Sequence, residues 1–326
     1  MTNLGEFDRI EQMLRPLAAG DPGSLNLTDD AALIDVEPGQ QIVVTTDTMV
    51  DTVHFLAGTP PGSLAAKLLR VNLSDLAAMG AKPFAYLLTT ALPRNLDDDW
   101  LAAFARGLAD DQERFSVHLI GGDSVSTSGQ LSVGITALGR VPSGQALRRD
   151  GARSGHGIYV TGTPGDAVLG LHLLRQKRTH GLLVDDAEYL TGRYQRPTPR
   201  LEVGQRLVGI ASAAIDISDG LIGDLGHICG ASGVAATVVA SRLPRSKPAQ
   251  KLLELNPELT HTALAGGDDY ELLFTVAGQN EAALAAIRAE CGVPITRIGA
   301  IIAGDTPRIL DDTGQEIEGL AGWRHF

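Results

Sequence analysis

The sequence predicts a mixed α+β and α/β chain of two domains, on three observations. At 326 residues the chain exceeds the length at which a single core stops growing, about 250–300 residues. Short β-branched runs alternate with longer stretches at helical spacing, from Ile42-Val43-Val44 near one end to 295–302 near the other. A polar break at Ser143-Gly144 separates two halves of similar length, so the expected domains are 1–143 and 144–326.

In the first half, Phe7, Ile10, Leu14 and Leu17 recur at helical spacing, and Asp21-Pro22-Gly23-Ser24 ends that helix. Ile42-Val43-Val44 reads as a buried strand that runs into Thr45-Thr46-Asp47 and alternates on to His54. Ser63 caps a helix to about residue 79, stopped by Gly80 and Pro83. Leu64, Leu68 and Val71 mark its apolar stripe; Asp75 falls on that stripe, and Lys67 and Arg70 lie off it. A strand over 86–92, a helix over 96–115, a strand over 117–120 and another over 131–138 complete this half.

Arg148-Arg149-Asp150-Gly151 opens the second half. Strands are expected at 157–162, 213–217, 233–239, 270–276 and 295–302, with helices over 165–175, from Ser218 to about 229, and over 281–290. Tyr194 to Arg200 reads as a connection stiffened by Pro197 and Pro199.

Bulk properties exclude several classes. A formal net charge of −12 argues against non-specific nucleic-acid binding, which needs a basic face. Cys229 and Cys291 have no metal-type spacing and suit a reducing compartment. No signal-peptide pattern and no span-length apolar run is present, so a cytoplasmic protein away from membranes is expected.

The chemistry lies where apolar runs end in acids and glycines: Asp29-Asp30, Thr45-Thr46-Asp47, Gly121-Gly122-Asp123, Asp216-Ile217-Ser218-Asp219-Gly220 and Gly266-Gly267-Asp268-Asp269. Together with Asp75 these offer carboxylate and hydroxyl oxygens, the donors that hard cations such as Mg2+ prefer, while His and Cys are nearly absent from them. A single Asp of this kind caps a turn as readily as it binds metal; a set of five points to cations that carry a nucleotide. The P-loop and protein-kinase signatures are absent. Arg149 is either a solvated surface residue or the phosphate-directed cation those folds take from Lys. His54 is either a core histidine or a substrate contact, and its place after an acid-lined strand favours the second.

Further stretches complete a pattern: His54-Phe55, Asn72-Leu73-Ser74-Asp75-Leu76-Ala77-Ala78-Met79-Gly80, Arg196-Pro197-Thr198-Pro199-Arg200, Asp216 to Leu221, and Gly322-Trp323-Arg324-His325-Phe326. In this order and over essentially the whole chain, they resemble the thiamine-monophosphate kinase family, within the superfamily typified by aminoimidazole-ribonucleotide synthetase. Thr28 stands where that family usually has Gly, and Asp268 where it usually has Glu. The resemblance implies transfer of the γ-phosphoryl of ATP to thiamine monophosphate. It implies several Mg2+ ions on residues matching Asp30, Thr45, Thr46, Asp47, Asp75, Asp123, Asp216 and Asp219, with Asp47, Asp75, Asp123 and Asp216 central to catalysis. ATP contacts are implied at Gly122, Asp123, Arg149 and Ser218, and thiamine monophosphate contacts at His54, Asp268 and Trp323. The implied fold pairs an N-terminal sheet across a homodimer and adds a C-terminal α/β domain, with the site in the cleft between them. Two other readings stay open: an amidine-forming synthetase of the same superfamily, and a nucleotide- or metal-binding protein without catalysis.

Overall fold

The computed structural model describes residues 6–27 and 31–319. They divide into two compact units, 1–76 with 81–144 and 77–80 with 145–326.

The first unit opens with α1 (Glu6–Arg9) and α2 (Arg15–Ala18), joined by a π-helical turn over Ile10–Leu14. There follow β1 (Gln40–Val50), α3 (Pro61–Ala78), β2 (Lys82–Pro93), α4 (Asp98–Phe115), β3 (His118–Thr127) and β4 (Ser132–Pro142). The sheet order is β1-β4-β2-β3, with β2 and β3 parallel and the other pairs antiparallel. The parallel pair is joined through α4, the crossover that parallel strands require. Asp97 caps α4 by accepting from the Trp100 N–H at 2.8 Å, and Ser116 ends it in the left-handed region at φ 52°. Close passage of α3 and α4 depends on glycines: a Cβ on Gly107 would lie 2.6 Å from the Gly62 backbone. Tyr86, Phe104, Leu68, Leu73 and Leu108 are fully buried. The Tyr86 hydroxyl donates to Gln112 Oε1 at 2.7 Å, and Gln112 donates to the Leu17 carbonyl, so this core leaves neither polar group unpaired.

Two expectations are corrected here. β1 is an edge strand rather than a buried one, and Val44 is 58% exposed. Alternation puts Val44, Thr46 and Thr48 on one face, opposite Leu138, Thr136 and Gly134 of β4, and this face is open at β1. Lys67 and Arg70 are buried, because α3 is enclosed nearly all round rather than along one stripe.

The second unit contains β5 (Gly157–Thr161), α5 (Asp166–Gln176), α6 (Val184–Gln195), α7 (Leu201–Leu207), β6 (Ala211–Asp216), α8 (Leu221–Ser232), β7 (Ala235–Val239), α9 (Lys247–Leu255), α10 (Thr260–Ala265), β8 (Leu272–Val276), α11 (Ala283–Cys291), β9 (Ile295–Ile302) and β10 (Pro307–Leu310). Its sheet order is β10-β7-β9-β5-β8-β6, antiparallel except for β10 beside β7. The central strands β5 and β8 are buried along their whole length. Ile158 and Val160 enter one core with Leu225 and Ile228 of α8; Tyr159 enters another with Leu207 and Ile287 of α7 and α11. Successive residues of one strand thus feed two cores, which places helices on both faces of the sheet. A third cluster packs α5, α6 and α9 together. Among the described residues no helix is long and apolar enough to cross a membrane.

Candidate active site

In the first unit, β1 and α3 bring three predicted residues together. The Thr45 hydroxyl donates to Asp75 Oδ2 at 2.5 Å. Asp47 lies two residues along the same face of β1, and its backbone N–H donates to Oδ1 of the fully buried Asn72 at 3.0 Å. Asn72 is one turn from Asp75 on α3 and is itself fixed by donating to the Leu68 carbonyl. Thr46 points to the opposite face, where its hydroxyl donates to the Ile135 carbonyl and receives the Thr136 hydroxyl, each at 3.1 Å. Helix and edge strand therefore share Thr45, Asp47 and Asp75, and the Thr46 side chain is separate from them.

Gly122 and Asp123 lie on β3, with Gly122 in register with Leu88 and Asp123 with Thr89. The β2–β3 approach is close here: Gly122 has φ 155°, and a Cβ would sit 1.9 Å from the Leu88 carbonyl oxygen. Only glycine allows that contact. Asp123 is exposed at the rim of a cavity of about 350 Å³. Ile10, Leu14, Leu87 and Leu119 supply apolar walls, and Gly121 to Ser124 supply its polar end. His54 ends a turn after β1, with Thr52 in the left-handed region at φ 64°. Its Nδ1 accepts from the Val50 N–H at 3.0 Å, which leaves the ring proton for Nε2. Asp30 and Trp323 lie outside the described residues, as does Thr28.

In the second unit, Asp216 is buried at the end of β6, and the turn 217–220 follows it. Ser218 and Asp219 are half-buried on that turn. Asp224, which sequence reasoning missed, organises it: Oδ2 accepts from the N–H groups of Ser218, Asp219 and Gly220 at 3.0, 3.2 and 3.1 Å. The signal was an Asp one turn inside the helix begun by Gly220-Leu221, able to fold back over its own N-terminus. Burial, then the Asp219 charge, pushes Asp224 up to about 7, against the pull of those three hydrogen bonds. Asp219, Asp224 and His227 offer ligand atoms within 4.8 Å of one another.

Asp268 lies on a loop laced to the same turn. Its N–H donates to the Ser218 carbonyl and the Tyr270 N–H to the Ile217 carbonyl, both at 2.8 Å. Gly267 is required by that contact, since a Cβ would meet the Ser218 carbonyl oxygen at 2.0 Å. Tyr194 packs nearby, its hydroxyl held protonated first by burial and then by the Asp268 charge. Thus Asp216, Ser218, Asp219 and Asp268 occupy one turn-and-loop pair. Arg149 is exposed, and its carbonyl accepts the Ser232 hydroxyl at 2.7 Å.

Residues 28–141 match the family model for the AIR synthase related protein N-terminal domain, and 153–312 match that for the C-terminal domain. The thiamine-monophosphate kinase of Caulobacter vibrioides is 41% identical, over 98% of this chain and 90% of that protein. The thiamine-monophosphate kinase of Escherichia coli K12 is 46% identical, over 91% of this chain and 88% of its own. The crystal structure of thiamine-monophosphate kinase from Stenotrophomonas maltophilia K279a superposes with a TM-score of 0.84 at 42% identity, covering 97% of this chain and 99% of that one. AaThiL complexed with AMPPCP and TMP superposes with a TM-score of 0.79 at 29% identity, covering 100% of this chain and 99% of the other. On these matches, two AIR synthase related domains in sequence and close likeness over nearly its whole length, the chain belongs to the thiamine-monophosphate kinase family.

Proposed function

We propose that this protein transfers the γ-phosphoryl of ATP directly to thiamine monophosphate, giving thiamine diphosphate, as a thiamine-phosphate kinase. The observation that carries the reading is the group of oxygen donors Thr45, Asp47 and Asp75 shared by β1 and α3, with Asp123 on the opposite edge strand β3, in a chain of this family. The AaThiL complex with AMPPCP and TMP, alike over the full chain, supports the choice of both substrates.

Thr45, Asp47, Asp75 and Asp123 present hydroxyl and carboxylate oxygens alone, a donor set that fits Mg2+. Asp30 would join them on the ions, and Asp216 and Asp219 would bind Mg2+ on the second unit, whereas the Thr46 side chain, on the opposite face of β1, is taken up by Ile135 and Thr136. Bound Mg2+ supplies charge neutralisation at the phosphates. The acceptor is already an ionised phosphate monoester, so no general base is required, and the chain's task is alignment. The Thr45–Asp75 bond and the Asn72 clamp on β1 hold the acids in place before substrate arrives. The apolar walls beside Gly122 and Asp123 suit a nucleoside with its phosphates at the polar end. Arg149 and Ser218 are assigned to ATP, and His54, through its Nε2 proton, with Asp268 and Trp323 to thiamine monophosphate.

Residues 1–143 form the ATP- and Mg2+-binding and dimerisation domain in this reading, and 144–326 the α/β domain. The open face of β1 with Val44, and the matching exposure of Val125 on β3, suit pairing of this sheet with that of a second copy. Cys229 and Cys291 as free thiols suit the cytoplasm.

A product assay with ATP, Mg2+ and thiamine monophosphate tests the reading. Thiamine diphosphate is the expected product, with no label left on the protein after turnover of γ-labelled ATP. Binding of ATP and Mg2+ without transfer to thiamine monophosphate would overturn the activity. Covalent phosphate on the enzyme during turnover would overturn direct transfer.

A further inference from the structure

The loop that carries Asp268 has an unusual backbone. Asp268 and Tyr270 both lie in the left-handed region, at φ 67° and 53°, with Asp269 between them. Non-glycine residues hold that conformation only against a steric penalty, so the surroundings must impose it. Two buried acids do so. Asp269 is 1% exposed; its Oδ2 accepts from the Gly165 N–H at 2.7 Å and its Oδ1 from the Ala167 N–H at 3.1 Å. That ties the loop to the N-terminus of α5, where a helix end favours negative charge. Glu271 is fully buried and receives four bonds: two from Arg200 at 2.6 Å each, one from Arg193 at 2.7 Å and one from Thr161 at 2.6 Å. Arg193 also reaches the Asp269 carbonyl at 3.5 Å. Alternate residues are thereby fixed to a helix end and to two arginines, and the half-buried Asp268 before them accepts the Tyr270 hydroxyl at Oδ1, 3.4 Å away.

We propose that Asp269 and Glu271, with Arg193 and Arg200, are positioning residues for phosphoryl transfer: they hold the 266–271 backbone so that Asp268 meets thiamine monophosphate. The proposal rests on the reading of the activity given above. The same backbone donates from Asp268 and Tyr270 to the 217–218 carbonyls, main-chain bonds that a change of the Asp269 side chain does not remove.

The test is a double-mutant cycle in the full chain, read by steady-state kinetics with each substrate varied in turn. Asp269→Asn keeps the shape of the side chain, but its amide carries one acceptor oxygen for two N–H donors. Expected losses in kcat/KM for thiamine monophosphate are about 30-fold for Asp268→Ala and about 10-fold for Asp269→Asn. The double variant should fall no further than Asp268→Ala alone, because Asp269 acts through Asp268. KM for ATP should stay within about twofold of wild type in Asp269→Asn. Should Asp269→Asn not fold, Arg193→Gln is the second probe with the same coupling expected, since Arg193 lies at the rim of the network with its side chain 11% exposed. Multiplying losses in the double variant, or a lower melting temperature with unchanged kinetics, would overturn the positioning role. Wild-type turnover of thiamine monophosphate is the control: its absence overturns the activity and this proposal together, whereas turnover with multiplying losses overturns this proposal alone.

Discussion

The Thr45 hydroxyl donates to Asp75 Oδ2 at 2.5 Å, so a residue of the edge strand β1 aims a carboxylate carried by α3. A hydrogen bond to a charged acceptor contributes about 1.5–3 kcal/mol, and here it fixes one Asp75 rotamer. Thr45→Val keeps the β-branched shape and removes the donor. Its kcat/KM for thiamine monophosphate should fall about 10-fold, while Asp75→Asn should lose about 100-fold or more. Steady-state rates on purified variants check the order. Equal activity in Thr45→Val and wild type would mean that the Thr45 hydroxyl neither orients Asp75 nor serves the metal set.

Asp47 and Asp123 are the sharper test of the metal reading. The contact that holds β1 to α3 at Asp47 uses its backbone N–H, which Asn72 receives, so Asp47→Asn leaves it in place. Asp123 is exposed on β3, so Asp123→Asn costs the core nothing. Both should lower kcat by about two orders of magnitude or more, with melting temperatures within about 2 °C of wild type. Full turnover in either variant removes that residue from the metal set.

Much of this half was legible because local periodicity and local chemistry agreed. Asp75 fell within a predicted helix, and Thr45-Thr46-Asp47 followed a β-branched run; that helix and that strand are α3 and β1, although the single apolar stripe gave way to burial nearly all round. Exposure was not legible. Ile42-Val43-Val44 reads as buried by composition, yet sheet order places it at an edge, and order is set by pairing with β4 some 90 residues away. The helices α6, α7, α9 and α10 went unread: α7 and α10 are only 7 and 6 residues long, and α6 and α9 are defined by packing with α5 rather than by propensity. The network below Asp268 was invisible for the same reason. Glu271 pairs with Arg200 and Thr161 at separations of 71 and 110 residues, and nothing in the string Asp268-Asp269-Tyr270-Glu271 tells which acid faces the core.

A buried ion pair provides the contrast between stability and activity. Arg70 of α3 donates from Nε and Nη2 to the two Asp111 oxygens of α4, both at 2.7 Å, with side chains only 8% and 4% exposed. Asp111→Ala leaves a buried guanidinium without its carboxylate and should destabilise the protein by about 3–5 kcal/mol. Denaturant unfolding measures that loss. Turnover per folded molecule should remain near wild type, because neither residue belongs to the acid set. A stable Asp111→Ala protein would show that water or another group takes over the Arg70 charge.

Glu271 gives the pH dependence. Burial alone would raise its carboxyl, but the Arg200 hydrogen bonds and charge, the Arg193 charge and the Thr161 hydroxyl outweigh burial and hold it below the ordinary value of 4.5. An acid whose folded value is depressed binds fewer protons folded than unfolded, so its stabilisation is complete above the unfolded value. It is lost as pH falls through the folded one. Glu271→Gln should therefore unfold more readily than wild type by a constant margin from neutral pH down to about 4.5, and that margin should narrow below it. Other carboxylates titrate in both proteins, so the difference between their stability–pH curves isolates this one. A margin that stays constant well into the acid range would mean that Glu271 titrates alike in folded and unfolded chains, and that the two arginines do not hold it ionised.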